Sequence, residues 1–223
     1  NGCKDTTSAT LTINAKPNIS VADTTICDGD VAGVFDAGAG FSSYAWSGNG
    51  TGTSQTTART TAGVYTVNVV DGNGCKDTTS ASLFINSKPN ISVADTTICD
   101  GDVAGVFNAG AGFTTYNWSG NGTGTSQTTA RTTAGVYTVR VVDANGCKDT
   151  TSATLTINAK PNISVADTTI CDGDVAGVFD AGAGFSSYAW SINGTGTSQT
   201  TARTTAGVYT VNVVDGNGCK DTT

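Results

Sequence analysis

The chain has 223 residues, a formal net charge of −7, no His, no Met, and no Glu, so all 18 of its side-chain carboxylates are Asp. So acidic a chain is poorly suited to gripping a phosphate backbone, and no apolar run approaches the ~18 residues that a membrane-spanning helix needs. Charged residues make up only 13%, about half the ordinary share, and Thr, Ser, Gly, Asn, Ala, Val and Ile replace them, a mixture that favours strands and turns over helices.

One unit recurs with a period of 72 residues: Asn1-Gly2-Cys3-Lys4-Asp5-Thr6-Thr7 returns at Asn73, Asn145 and Asn217. Residues 1–72 and 145–216 differ only at Gly48/Ile192, and 1–72 and 73–144 differ at nine positions. Such repetition defines an array of one supersecondary unit. Lys16-Pro17-Asn18, Lys88-Pro89-Asn90 and Lys160-Pro161-Asn162 stand between strand-like runs, where Pro suits a linker or a first strand position. Residues 1–16 are therefore expected to be the final strand of a preceding repeat, 17–88 and 89–160 complete repeats, and 161–223 a repeat lacking most of its last strand. Asn1 does not open a signal peptide, so an export signal or anchor is expected outside these residues.

Along the repeat 17–88, strands are expected near 18–26, 31–37, 42–47, 55–60, 63–70 and 76–86, with a further short one around 51–54. Turns rich in Gly, Asn and Asp separate them, among them Asp28-Gly29-Asp30, Gly38-Ala39-Gly40 and Gly48-Asn49-Gly50. Asp71-Gly72-Asn73-Gly74 lies between two alternating runs and signals a hairpin. Six or seven short strands at this spacing predict an all-β fold, a tandem series of immunoglobulin-like β-sandwich repeats.

Alternation assigns the faces. Tyr65, Val67 and Val69 point inward, as do Ala81, Leu83 and Ile85, and Tyr44 and Trp46 share a face. The expected core is Phe35, Tyr44, Trp46, Tyr65, Val67, Val69, Leu83 and Ile85. Differences between copies fall on outward positions: Asn68/Arg140, Thr12/Phe84, Thr10/Ser82, Ser43/Thr115 and Ala45/Asn117. An Arg facing the core would be costly, whereas facing solvent it costs little.

Thr25-Ile26-Cys27-Asp28-Gly29, Tyr44-Ala45-Trp46-Ser47, Ala62-Gly63-Val64-Tyr65-Thr66-Val67 and Asp71-Gly72-Asn73-Gly74-Cys75 together resemble the tandem Ig-like or PKD-like repeats of Bacteroidota surface proteins. The giant gliding-motility adhesins of the SprB type carry similar units. The resemblance spans the chain and implies type IX secretion and display at the cell surface. It identifies no ligand.

Four chemistries follow from the residues. The seven cysteines, Cys3, Cys27, Cys75, Cys99, Cys147, Cys171 and Cys219, lack both His and the close spacing of a zinc site, so disulfides in an oxidising compartment are expected. The family resemblance implies pairing within a repeat, Cys27–Cys75, Cys99–Cys147 and Cys171–Cys219, with Cys3 joined to a partner upstream. In a standard Ig topology, however, the turn before the second strand and the last hairpin lie at opposite ends of the sandwich. The strand map points instead to Cys27–Cys147 and Cys99–Cys219, stapling neighbouring repeats, but the expected pairing is the within-repeat one that the resemblance implies.

Asp28, Asp30 and Asp71 offer hard oxygen ligands for calcium, the one candidate cofactor, but without the remaining ligands of an EF-hand loop; solvated turn aspartates are the simpler account. Asp-Thr-Thr recurs and is similar to the O-glycosylation signal of exported Bacteroidota proteins. The resemblance makes Thr6, Thr24, Thr78, Thr96, Thr150, Thr168 and Thr222 candidate glycan acceptors, whereas ordinary strand and turn threonines are the competing reading. Asn-x-Ser/Thr sequons such as Asn18-Ile19-Ser20 and Asn49-Gly50-Thr51 are discounted, since those residues are simply abundant. Catalysis has no His for a Ser-His or Cys-His pair and no phosphate-binding loop leading into a helix.

The expected function is a structural stalk or fibre segment of an exported adhesin or filament. A multivalent binder with one weak site per repeat, around Phe41 or Trp46-Ser47-Gly48-Asn49, is the alternative. A filament in which residues 1–16 complete another chain's last repeat ranks third, because 1–7 duplicate 217–223. Partners are neighbouring repeats, laterally associated copies or surface glycans.

Overall fold

The computed structural model describes residues 1–48, 53–120, 124–191 and 198–223. The expected strand around 51–54, the turn at Gly48-Asn49-Gly50, the Asn49 sequon and Ile192 fall wholly or partly outside them. The described residues contain strands and no helix, and the fold is a tandem series of immunoglobulin-like β-sandwiches. Two compact units emerge, residues 1–89 with 142–148 and residues 90–141 with 149–223.

In the first repeat the strands are β1 (Thr24–Cys27), β2 (Gly33–Asp36), β3 (Ser43–Ser47), β4 (Thr56–Arg59), β5 (Gly63–Val70) and β6 (Lys76–Asn86). They form a four-stranded sheet in the order β1-β6-β5-β3 and a two-stranded sheet of β2 and β4. β5 and β6 pair antiparallel from Gly63↔Leu83 to Val70↔Lys76 across the expected hairpin. β1 adds to the far end of β6 in parallel, from Thr24↔Leu83 to Cys27↔Asn86. The second repeat repeats this with β7 (Thr96–Cys99), β8 (Gly105–Asn108), β9 (Thr115–Gly120), β10 (Thr128–Arg131), β11 (Gly135–Val142) and β12 (Lys148–Asn158). The third holds β13 (Gly177–Asp180), β14 (Ser187–Ser191), β15 (Thr200–Arg203), β16 (Thr210–Val214) and β17 (Lys220–Thr222).

The core is where alternation places it. Phe35, Trp46, Tyr65, Val67, Val69 and Leu83 are buried, and Tyr44 and Ile85 pack against them half-buried. Ile19, Ala37 and Ala81 complete the buried set. Arg140 and Asn68 face solvent, as do Phe84, Thr115 and Asn117. Phe35 bridges the two sheets, its ring 6.2 Å from Trp46 and 5.5 Å from Tyr65. The Tyr65 hydroxyl donates to the Thr61 carbonyl at 2.6 Å, four residues upstream. This is the tyrosine corner of immunoglobulin-like sandwiches. Trp46 Nε1 donates to the Ser54 carbonyl at 2.9 Å, so the buried indole leaves no orphaned donor.

Two expected strands are shorter than the sequence suggested. Of 18–26 only residues from Thr24 onward join a ladder, in the strand Thr24–Cys27. Asp23 Oδ1 accepts the Ser82 amide at 2.7 Å, so a side chain takes the next backbone donor of β6 and the parallel ladder begins after it. Upstream, Ile19 is buried and Val21 packs half-buried, both without strand pairing. The 31–37 run begins at Gly33, with Val31 left 92% exposed. Residues 1–16, expected as a final strand, form no ladder, and Leu11 and Ile13 are each 85% exposed where Leu83 is 2%.

Candidate functional site

The hairpin after β5 is built by Asp71. Its Oδ1 accepts the amides of Asn73 at 2.9 Å and Cys75 at 2.8 Å, and its own amide donates to the Cys75 carbonyl at 3.0 Å. Gly74 closes the turn at φ 81°, a left-handed conformation natural to glycine. The outcome is a cysteine presented at the tip, at the start of the final strand. Asp143 and Asp215 hold Cys147 and Cys219 in the same way. The other cysteine closes β1: Asp30 Oδ2 accepts the Cys27 amide at 3.0 Å, and the Asp28 amide donates to the Asn86 carbonyl at 2.8 Å.

These two placements decide the pairing. Cys27 lies opposite Asn86, while Cys75 immediately precedes Lys76, eleven strand residues away. At about 3.3 Å per residue the two are on the order of 35 Å apart. The within-repeat pairing implied by the resemblance is therefore not the one formed. The disulfides are Cys27–Cys147 and Cys99–Cys219, each with Cα atoms 5.5 Å apart and 120 residues between its ends. They are the links that the strand map required. Cys3, Cys75 and Cys171 form no disulfide within residues 1–223.

Of the candidate calcium ligands, Asp71 belongs to the hairpin and Asp28 and Asp30 to the end of β1. The Asp71 and Asp30 carboxylates each accept a backbone amide in their own turn. Among the described residues no group of three or more metal-ligating side chains occurs.

The Asp-Thr-Thr threonines divide into two sets. Thr6, Thr78, Thr150 and Thr222 are exposed. Thr78 and Thr222 donate to the cross-strand Asn68 and Asn212 side chains. Thr24 and Thr96 are half-buried, and their hydroxyls, with that of exposed Thr168, face the Val34, Val106 and Val178 carbonyls at 3.4, 3.5 and 3.3 Å. Of the loop suggested for glycan binding, Phe41 packs edge-on against Tyr44 at 5.8 Å, and Trp46 is in the core.

Two features were missed in the sequence. Arg59, Arg131 and Arg203 lie over the faces of Tyr65, Tyr137 and Tyr209, 5.2, 5.2 and 5.4 Å from the ring centres. The signal was an Arg six residues before each Tyr. Asp36, fully exposed, takes the Gln55 side-chain amide at 2.8 Å and the Gly38 amide at 2.8 Å. These two hydrogen bonds, Gln55 foremost, hold its carboxyl below the ordinary range, and Asp180 is held likewise by Gln199 and Gly182.

No protein-family model matches the sequence, and no curated protein matches it. Among solved structures, the chain is similar to the titin I-band fragment I67–I69, at 12% identity over 92% of this chain and 94% of that one, with a TM-score of 0.41. A 1.5-MDa bacterial ice-binding adhesin matches at 17% identity over 94% and 96%, TM-score 0.36. A calcium-stabilised adhesin with which an Antarctic bacterium binds ice matches at 18% over 94% and 72%, TM-score 0.39. The class defined by the chain's own strands, tyrosine corner and repeats is a tandem immunoglobulin-like array.

Proposed function

We propose that this chain is a spacer segment of a long exported bacterial surface protein, an adhesin stalk or filament, whose repeats carry tension rather than chemistry. The observation that carries the reading is the pair of disulfides, each joining the first strand of one repeat to the hairpin of the next. Such bonds persist in oxidising compartments outside the cytoplasm. Closing a loop of this length contributes on the order of 4–5 kcal/mol in the chain-entropy account. Repeat arrays gain stability from each unit and its neighbour, so a covalent neighbour link suits a load-bearing array. Glycans on exposed Thr6, Thr78, Thr150 and Thr222 would solvate the outward face of the final strand.

The two disulfides interleave, because Cys99 lies inside the loop closed by Cys27 and Cys147. Under tension the shortest covalent path from Cys27 to Cys219 crosses to Cys147, returns to Cys99 and crosses again. Only roughly a quarter of the intervening chain can then be drawn out, about 170 Å instead of about 690 Å at ~3.6 Å per residue. Pulling single molecules by tethers flanking this segment should show the short extension when oxidised and the long one after reduction. Equal extensions would remove the mechanical reading. A multivalent binder would instead show retention on a glycan surface that grows with repeat number; a spacer shows none.

A further inference from the structure

The two disulfides join cysteines that are not neighbours in the sequence. Cys75 is 24 residues from Cys99 and 48 from Cys27, whereas each bonded pair is 120 apart. In an unfolded chain the chance of closure falls as roughly the 3/2 power of loop length. A 24-residue loop therefore closes about 11 times, and a 48-residue loop about 4 times, as often as the native one. Oxidation of an unfolded chain favours the wrong partners.

The folded repeat reverses this preference, and it does so without using the bonds. The first core draws only on residues 19–85 and the second only on 91–157, and neither contains a bonded cysteine. The turns that carry the thiols are equally local. Asp30 Oδ2 accepts the Cys27 amide from three residues away, and Asp143 Oδ1 accepts the Cys147 amide from four. Once β1 has paired with β6, the length of β6 stands between Cys27 and Cys75. β12 separates Cys99 from Cys147 in the same way. A disulfide needs Cα atoms within ~7 Å, so both 48-residue pairs are out of reach in the folded repeat.

We infer that the sandwiches fold first and are oxidised afterwards, so that the non-covalent fold selects the disulfide partners and the folded chain is the substrate of the thiol oxidation. Cys27 stays reduced while its own repeat folds, until the hairpin between β11 and β12 presents Cys147. The oxidant is a disulfide such as oxidised glutathione. Cys27 is half-buried where Cys147 is fully buried, and its thiolate attacks first, forming a mixed disulfide and releasing one glutathione. The Cys147 thiolate then attacks the Cys27 sulfur and expels the second. Two thiols lose two protons and two electrons, and one glutathione disulfide becomes two glutathiones.

The full chain carrying Gly216→Ala tests this order. The substitution marks the Cys219 tryptic peptide, 204–220, which is otherwise identical to 60–76, the peptide of Cys75. A Cβ at Gly216 meets nothing within 4 Å, and Ala144 already stands at the same place in the second repeat. In excess reductant the chain should keep the near-ultraviolet circular dichroism of its buried Trp and Tyr side chains. Oxidised glutathione added to that folded chain should join 141–148 to 5–59 and 204–220 to 77–131. Added in guanidinium chloride, it should join 60–76 to 77–131 about tenfold more often than 204–220 to 77–131. Loss of the near-ultraviolet signal on reduction, the same links under both conditions, or 5–59 joined to 60–76 in the folded chain would overturn the inference.

Discussion

At the scale of single residues, each repeat depends on a few side chains that tie loops to the core. The hydroxyls of Tyr65 and Tyr137 lie on fully buried rings and satisfy the Thr61 and Thr133 carbonyls at 2.6 Å. Tyr209 makes the same bond from a half-buried ring. Tyr137→Phe should therefore cost about 1–2 kcal/mol, and Tyr209→Phe less, since water can satisfy the exposed carbonyl. Urea unfolding of each variant measures the difference, and equal costs would contradict the burial argument. Asp36 and Asp180 are a second case, with Asn108 as an internal control that accepts the same two donors while uncharged. Because the folded pKa is depressed, any stabilisation is present above the ordinary carboxylate pKa of about 3.9 and lost as pH falls through the lower folded value. Carboxyl NMR titration should place both midpoints below that of an unstructured Asp; midpoints at or above it would contradict the hydrogen-bonding account. The aromatic core was legible because alternation marks it. The Gln55–Asp36 link was not, since nothing local announces a bond between residues 19 positions apart.

At the scale of elements, the final strand organises the sandwich, pairing with β5 along its length and with β1 at its far end. Gly33 makes room for it: a Cβ there would lie 2.6 Å from Leu83 Cδ1, and one at Gly105 would lie 2.6 Å from Leu155 Cδ1. Gly33→Val and Gly105→Val should each destabilise by about 1–3 kcal/mol through overpacking. Thermal unfolding checks this, and an unchanged midpoint would show that the strand can give way. β5, β6 and their hairpin were readable from period-two alternation and the Asp-Gly-Asn-Gly turn. The start of β1 was not, because Ile19 and Val21 alternate as strand residues do while Asp23 takes the Ser82 amide from the ladder. β-propensity records a fit to a half-buried surface, and Ile19 finds one without a strand partner.

At the scale of the whole molecule, the 72-residue period was plain in the sequence, and the cysteine connectivity followed from topology once strand ends were assigned. Family likeness favoured pairing within a repeat; the parallel β1–β6 register forbids it by putting the length of β6 between the two thiols. The central claim is that neighbouring repeats are covalently stapled, and the sequence differences between copies make it directly measurable. Tryptic cleavage isolates Cys147 in residues 141–148, where Ala144 replaces the Gly72 and Gly216 of the sister hairpins. Cys27 falls in residues 5–59 and Cys99 in residues 77–131, which differ in sequence. Non-reducing peptide mapping of protein from its native source should find 141–148 joined to the peptide of Cys27. Finding it joined to the peptide of Cys99, or unlinked, would contradict the account.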